Sequence, residues 1–150
     1  MSDRIPQATV YQTQPAIAKA LLGLAQAAIA SGLEVSLIHL IKLRASQING
    51  CAFCQHMHAN EARHDGETQT RLDVLAAWHE VPIFTPRERA ALGWTETLTL
   101  VAGKGVSEEE FKKVSVEFTQ TEIINLTAAI VAINSWNRIA VGFNFIPKFD

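Results

Sequence analysis

The chain has 150 residues, 48% of them hydrophobic, and its 13 basic and 15 acidic side chains leave a formal charge of −2. One domain of this length can bury a continuous core, and the charges are scattered with no basic block to follow a phosphate backbone, so no nucleic-acid partner is expected. Two cysteines cannot build the disulfide framework of a small secreted domain, so a close pair in an otherwise cysteine-free chain points to redox or metal chemistry in a reducing, cytoplasmic compartment.

Apolar residues recur at helical spacing nearly everywhere, and no alternating β-branched run is bounded by hairpin turns, which predicts an all-α domain over 1–150 with about six to seven helices. A first helix is expected over Pro15 to Ser31, stopped at Gly32. Lys19 and Gln26 interrupt its apolar face and Arg4 is the one basic residue before it, which suits a packed helix better than a targeting segment. The next helix begins near Leu33, carries Leu37, Ile38, Leu40, Ile41 and Leu43, and breaks at Asn49-Gly50. Cys51 opens a third, which runs to His64 and the Asp65-Gly66 turn. Glu67 to Glu80 reads as a fourth, ended by Pro82.

Thr85-Pro86-Arg87-Glu88 combines a capping residue, proline at the first helical position and a glutamate three residues after the cap, so a helix is predicted from there to about Ala102. Ser107-Glu108-Glu109-Glu110 repeats the pattern for a short polar helix, whose Lys112 and Lys113 read as solvated. Thr119 or Thr121 opens a long last helix toward Pro147. Asn125, Asn134, Asn137 and Arg138 interrupt its apolar run, so a buried helix or a subunit contact fits it better than a membrane span.

The chemistry concentrates in Cys51-Ala52-Phe53-Cys54-Gln55-His56-Met57-His58. A helix turns about 100° per residue, so Cys51, Cys54 and His58 share a face while His56 points away from it. The spacing lets two sulfurs close a disulfide within one turn, and a helix N-terminus favours a thiolate. Spacing leaves open which cysteine attacks, because the N-terminal member of such pairs is usually exposed whereas His58 lies nearer Cys54. It also leaves open a structural zinc held by Cys51, Cys54, His58 and His39, or two inert packed thiols; only redox chemistry uses the helix N-terminus.

Leu43-Arg44-Ala45-Ser46-Gln47-Ile48-Asn49-Gly50-Cys51-Ala52-Phe53-Cys54, followed by His58, closely resembles the signature of the carboxymuconolactone decarboxylase superfamily, and more narrowly its alkyl hydroperoxidase D-like branch. The similarity extends through Gly66-Glu67, the Thr85 to Leu92 stretch and Ala132-Ile133-Asn134-Ser135-Trp136-Asn137-Arg138, and so covers most of the chain. The resemblance implies an all-helical fold, homo-oligomers such as trimers or hexamers, and a CxxC pair that reduces a hydroperoxide and is itself reduced by another thiol protein, with no cofactor. By position, Cys54 would attack, Cys51 would resolve and His58 would serve the proton relay.

One position departs from the pattern. Twelve residues before Cys51 the family commonly places a relay glutamate, and here stands His39. The candidates to fill that role are His39 itself, as an alternative base, and Glu61, three residues after His58 on the same helix. Alternatives are a lactone-acid decarboxylase, which has no evident need for two adjacent thiols, and a non-catalytic oligomeric zinc or scaffold protein. His64 and His79 lie near helix ends and read as partners of terminal carbonyls; Trp78, Trp94 and Trp136 read as core; Ser46, Gln47 and Asn49 read as shaping the turn before Cys51.

Overall fold

A computed structural model describes residues 1–149. Among these the fold is entirely helical: α1 (Gln7–Thr13), α2 (Pro15–Ala30), α3 (Val35–Ile48), α4 (Ala52–His64), α5 (Gln69–Asp73), a 3₁₀ segment (Leu75–Glu80), α6 (Pro86–Thr99), α7 (Val101–Lys104), α8 (Glu108–Glu117) and α9 (Gln120–Phe143). No single helix in the described residues is long and apolar enough to cross a membrane.

The all-α class agrees with the sequence, while the number of helices exceeds the expected six to seven. Helix α1 was not anticipated because it carries little periodicity and buries only Val10. It ends at Gln14 (φ −136°), which Pro15 excludes from the helical region. The helix expected over Glu67 to Glu80 divides at Val74, and its second half is a 3₁₀ segment kinked at Ala77. Tertiary contacts set this break: Trp78 donates to Glu96 Oε1 (2.8 Å), and Arg89 donates to the carbonyls of Trp78, His79 and Val81. Helix α6 stops at Thr99 and the chain reaches Lys104 through the separate turn of α7. Helix α9 ends at Asn144, whose left-handed φ of 57° closes it before Pro147. Its start is Thr119 rather than Thr121, the first of the two expected positions, with a reciprocal cap to Glu122, and Thr85 with Glu88 does the same for α6.

Helix α3 is the central element and packs on α4, α6 and α9. Its two sides feed two apolar clusters. Leu37, Ile38 and Ile41 meet Trp94, Leu126 and Ile130, while Leu40 and Leu43 meet Ala62, Leu75, Trp78 and Leu92. Each such fully buried side chain contributes roughly 1.5–3 kcal/mol by leaving water, which is what holds α3 in place as the platform for the turn that follows it. A third cluster joins the two chain ends around the cysteines: Val10, Cys51, Cys54, Ala140 and Phe145. The ends are tied by backbone as well, with Arg4 N donating to Phe143 O (2.8 Å) and Asn144 Nδ2 to Ser2 O (2.8 Å).

Candidate active site around the Cys51–Cys54 pair

Asn49 caps α3, and Gly50 turns the chain at φ +64°, a conformation that favours glycine. Cys51 follows as the N-cap of α4, rather than its first residue. Its backbone N–H donates to Ser46 O (3.0 Å), and its Sγ accepts from the Cys54 N–H (3.2 Å). The two cysteines form a disulfide with Cα atoms 5.3 Å apart. At a helix N-terminus the unpaired amides favour negative charge, so each sulfur is placed where a thiolate is stabilised once the bond is reduced.

The two sulfurs differ in access. Both residues are buried, Cys51 1% and Cys54 2% exposed, but only Cys54 lines a cavity of about 470 Å³. Side chains of α1, α2, α3, α4 and α9 and the C-terminal Phe145 form its walls, which are mainly apolar: Leu22, Ile29, Phe53, Met57, Ile133 and Trp136. Tyr11 packs edge-on against Trp136 (5.8 Å) and Phe145 (6.3 Å). Burial raises the Tyr11 pKa above the usual phenol range, so it presents a neutral hydroxyl.

His58 lines the same cavity one turn after Cys54 and is buried. Its Nδ1–H donates to Glu61 Oε2 (2.8 Å), and among the described residues Nε2 takes no hydrogen bond. That pairing fixes the imidazole's tautomer and leaves Nε2 as the nitrogen available for proton transfer. The hydrogen bond from His58 holds the Glu61 carboxyl below its ordinary pKa; partial burial opposes this, and the charges of His58, Lys42 and His39 add to it.

His39 stands elsewhere. Its Nε2 pairs with Asp65 Oδ2 (2.7 Å), its Nδ1 is buried without a partner among the described residues, and it lines the neighbouring groove rather than the cavity. Lys42 and Glu61 belong to both hollows. The four residues of the zinc alternative are therefore not gathered: the sulfurs bond to each other, the imidazoles pair with different carboxylates, and no cluster of three or more His, Cys, Asp or Glu suited to a metal occurs among the described residues.

His56 faces away, hydrogen-bonded to Asn60 and edge-on to Phe149 (5.4 Å). His79 stacks on Trp78 (3.8 Å) and pairs with Glu96, while His64 lines the groove of His39. Trp78 and Trp94 are core residues as expected, whereas Trp136 is only half-buried and belongs to the cavity wall. Sequence reasoning missed Tyr11 and Phe145 altogether. They lie at the two chain ends, and no local signal marks them.

One buried amide, Asn137, and two half-buried ones, Asn49 and Asn134, gather at the turn that leads into Cys51. Asn137 is 0% exposed; its Nδ2 donates to Ser46 Oγ (3.0 Å), and its Oδ1 accepts from Asn49 Nδ2 (2.9 Å). Asn49 Nδ2 also donates to Asn134 Oδ1 (3.0 Å), and Asn134 Nδ2 donates to Thr99 Oγ1 (3.0 Å). Of the polar interruptions of α9, Asn134, Asn137 and Arg138 are thus hydrogen-bonded within the chain.

The model of the carboxymuconolactone decarboxylase family matches residues 15–97. The uncharacterized protein YdfG of Bacillus subtilis (strain 168) is 37% identical over 141 residues, 94% of each chain. Among solved structures, ATU0492 from Agrobacterium tumefaciens is 43% identical with a TM-score of 0.93, over 99% of this chain and 100% of the other; it is a protein of unknown function for which the antioxidant-defence role of AhpD has been suggested. The debrominase Bmp8, 18% identical with a TM-score of 0.77 over 91% of this chain and 74% of its own, shares the fold alone. From the matched sequence and the cysteine helix together, the chain belongs to the carboxymuconolactone decarboxylase family, in its AhpD-like branch.

Proposed function

We propose that the protein is a thiol-dependent peroxidase that reduces a hydroperoxide at Cys54 and is reset by a reducing thiol protein of the cytoplasm. The observation that carries this reading is the asymmetry of the pair: Cys54 faces an apolar cavity beside His58, and Cys51 lies behind it within bonding reach. In the reduced protein the Cys54 thiol passes its proton to His58 Nε2, while Glu61 holds the ring and stabilises the imidazolium. The Cys54 thiolate attacks the terminal peroxide oxygen, the O–O bond breaks, and the departing alkoxide takes the proton from His58 and leaves as an alcohol. Cys54 becomes a sulfenic acid. The Cys51 sulfur then attacks it, water departs, and the disulfide forms. A dithiol of the partner protein reduces that disulfide and is oxidised in turn, so the sulfur pair supplies both electrons and no cofactor enters.

In this scheme Glu61 fills the carboxylate role that His39 leaves open, and His39 acts only through the charge around Glu61. The exposed apolar side chains Val101, Ile124 and Val131 support assembly into a homo-oligomer, a trimer or hexamer.

Free-thiol titration before and after one equivalent of cumene hydroperoxide tests the proposal. The reduced parent is expected to lose both of its thiols, and the Cys54→Ser protein none. Unchanged thiols in the parent would overturn it, and a decarboxylase activity that survives replacing both cysteines would replace it.

A further inference from the structure

We infer that Asn137, Asn49 and Ser46 are positioning residues for the resolving cysteine: they hold the turn that carries Cys51 against α9 and so set how readily the Cys51–Cys54 disulfide forms. The inference rests on the redox reading of the pair, but it concerns an equilibrium that can be measured without any peroxide.

Amides inside an apolar helix are costly unless satisfied, and this cluster is satisfied by one specific segment. Asn137 reaches Ser46 Oγ from α9, and Ser46 is itself wholly buried at the end of α3. Ser46 Oγ donates to Lys42 O (2.7 Å), which leaves its lone pair for Asn137. The carbonyl of the same residue accepts both the Cys51 N–H (3.0 Å) and Gln55 Nε2 (3.3 Å). From the other side Asn137 Oδ1 accepts from Asn49, the residue two before Cys51.

The Asn49-Gly50-Cys51 turn is therefore gripped at both ends, through Asn49 and through Ser46. Asn134 adds a second contact from α9, its Oδ1 accepting from Asn49 Nδ2 (3.0 Å). A turn held in this way keeps the Cys51 sulfur over the first turn of α4 whether or not the S–S bond exists. The entropy of bringing the thiols together is then met by the fold rather than by the bond, which makes the disulfide more stable and its formation from the Cys54 sulfenic acid faster.

The test compares the thiol–disulfide equilibrium of the full chain with glutathione for the parent, Asn49→Ala and Ser46→Ala, with Val114→Ala as a core variant remote from the turn. Asn49→Ala is expected to lower the equilibrium constant for the disulfide about tenfold, equivalent to about 30 mV for this two-electron couple. It should also increase the fraction of Cys54 driven to sulfinic acid by excess cumene hydroperoxide. Val114→Ala should melt at lower temperature with the equilibrium unmoved. If Asn49→Ala melts lower but keeps the parental equilibrium constant within twofold, the amides only join helices and the inference is overturned. Should Ser46→Ala not fold, Asn49→Ala decides alone. Failure of the peroxidase reading would appear separately, as thiols inert to hydroperoxide in a parent whose glutathione equilibrium is still shifted by Asn49→Ala.

Discussion

The two halves of α9 meet polar partners of opposite kinds. At its start Glu122 caps the helix and pairs with Arg87 (2.7 Å), which also holds Glu34 (2.7 Å) and the Glu117 carbonyl (2.8 Å) and lies over the Phe118 ring at 4.1 Å. These groups are charged and reach solvent. Fifteen residues later, between Glu122 and Asn137, the same helix buries a neutral amide, Asn137, against the buried Ser46 hydroxyl and the half-buried Asn49. Charge at the surface fastens loops and helix starts at small net gain, since water competes for each ion. Uncharged groups in the interior gain little by forming their bonds but lose much when a partner is removed. The cysteine turn is attached to the second kind, through Asn137, Asn49 and Ser46.

That contrast can be broken first at the chemistry. His58→Ala should slow the loss of thiols to cumene hydroperoxide by about 10²-fold, the usual contribution of a positioned proton-transfer group, as read by stopped-flow thiol consumption. A rate within a factor of about two of the parent would remove His58 from the relay. Next in size, Asn137→Ala should cost about 2–3 kcal/mol of stability in urea unfolding, because it removes the donor to Ser46 Oγ and one of the two acceptors of Asn49 Nδ2 and leaves a small void. Arg87→Ala, at the other half of the helix, should cost only about 1 kcal/mol despite losing more bonds. Equal losses for the two would erase the distinction between the halves.

The smallest effect is one of pH. Arg87 holds the Glu34 and Glu122 carboxyls below their ordinary pKa by hydrogen bonding and charge. A carboxylate whose folded pKa is depressed stabilises the fold above the unfolded pKa, about 4.3 for glutamate, and loses that contribution as pH falls through the lower folded value. Stability of the parent should therefore decline from about pH 4.3 downward, and Arg87→Ala should show a shallower decline over that window in urea midpoints. Both carboxylates are near the surface, so the difference is small, and a parallel pair of curves would count against the pairing in solution.

Much of this was legible before any coordinates. The Thr85-Glu88 cap starts α6 as its sequence signal requires, and α9 starts at Thr119, one of the two threonines the sequence offered, because capping is a local exchange of hydrogen bonds. The Asn49-Gly50 break and the helix bearing Cys54 and His58 are equally local. What could not be read depends on contacts distant in sequence. The 3₁₀ break at Val74 follows from Arg89 and Glu96 drawing the Trp78 segment inward, and nothing within Glu67 to Glu80 announces it. Helix α1 forms where the chain ends meet, so Tyr11 and Phe145 entered the cavity wall without a motif. The polar positions in α9 did stand out, but their partners, Ser46 and Asn49, lie some ninety residues away.

In the proposed reaction Cys54, and not Cys51, meets the oxidant. Dimedone labelling with mass mapping after one equivalent of cumene hydroperoxide decides it on the two single-cysteine proteins. The Cys51→Ser chain should carry the sulfenic-acid adduct on Cys54, and the Cys54→Ser chain should remain unlabelled. An adduct on Cys51 alone, or none on either, would contradict the assignment.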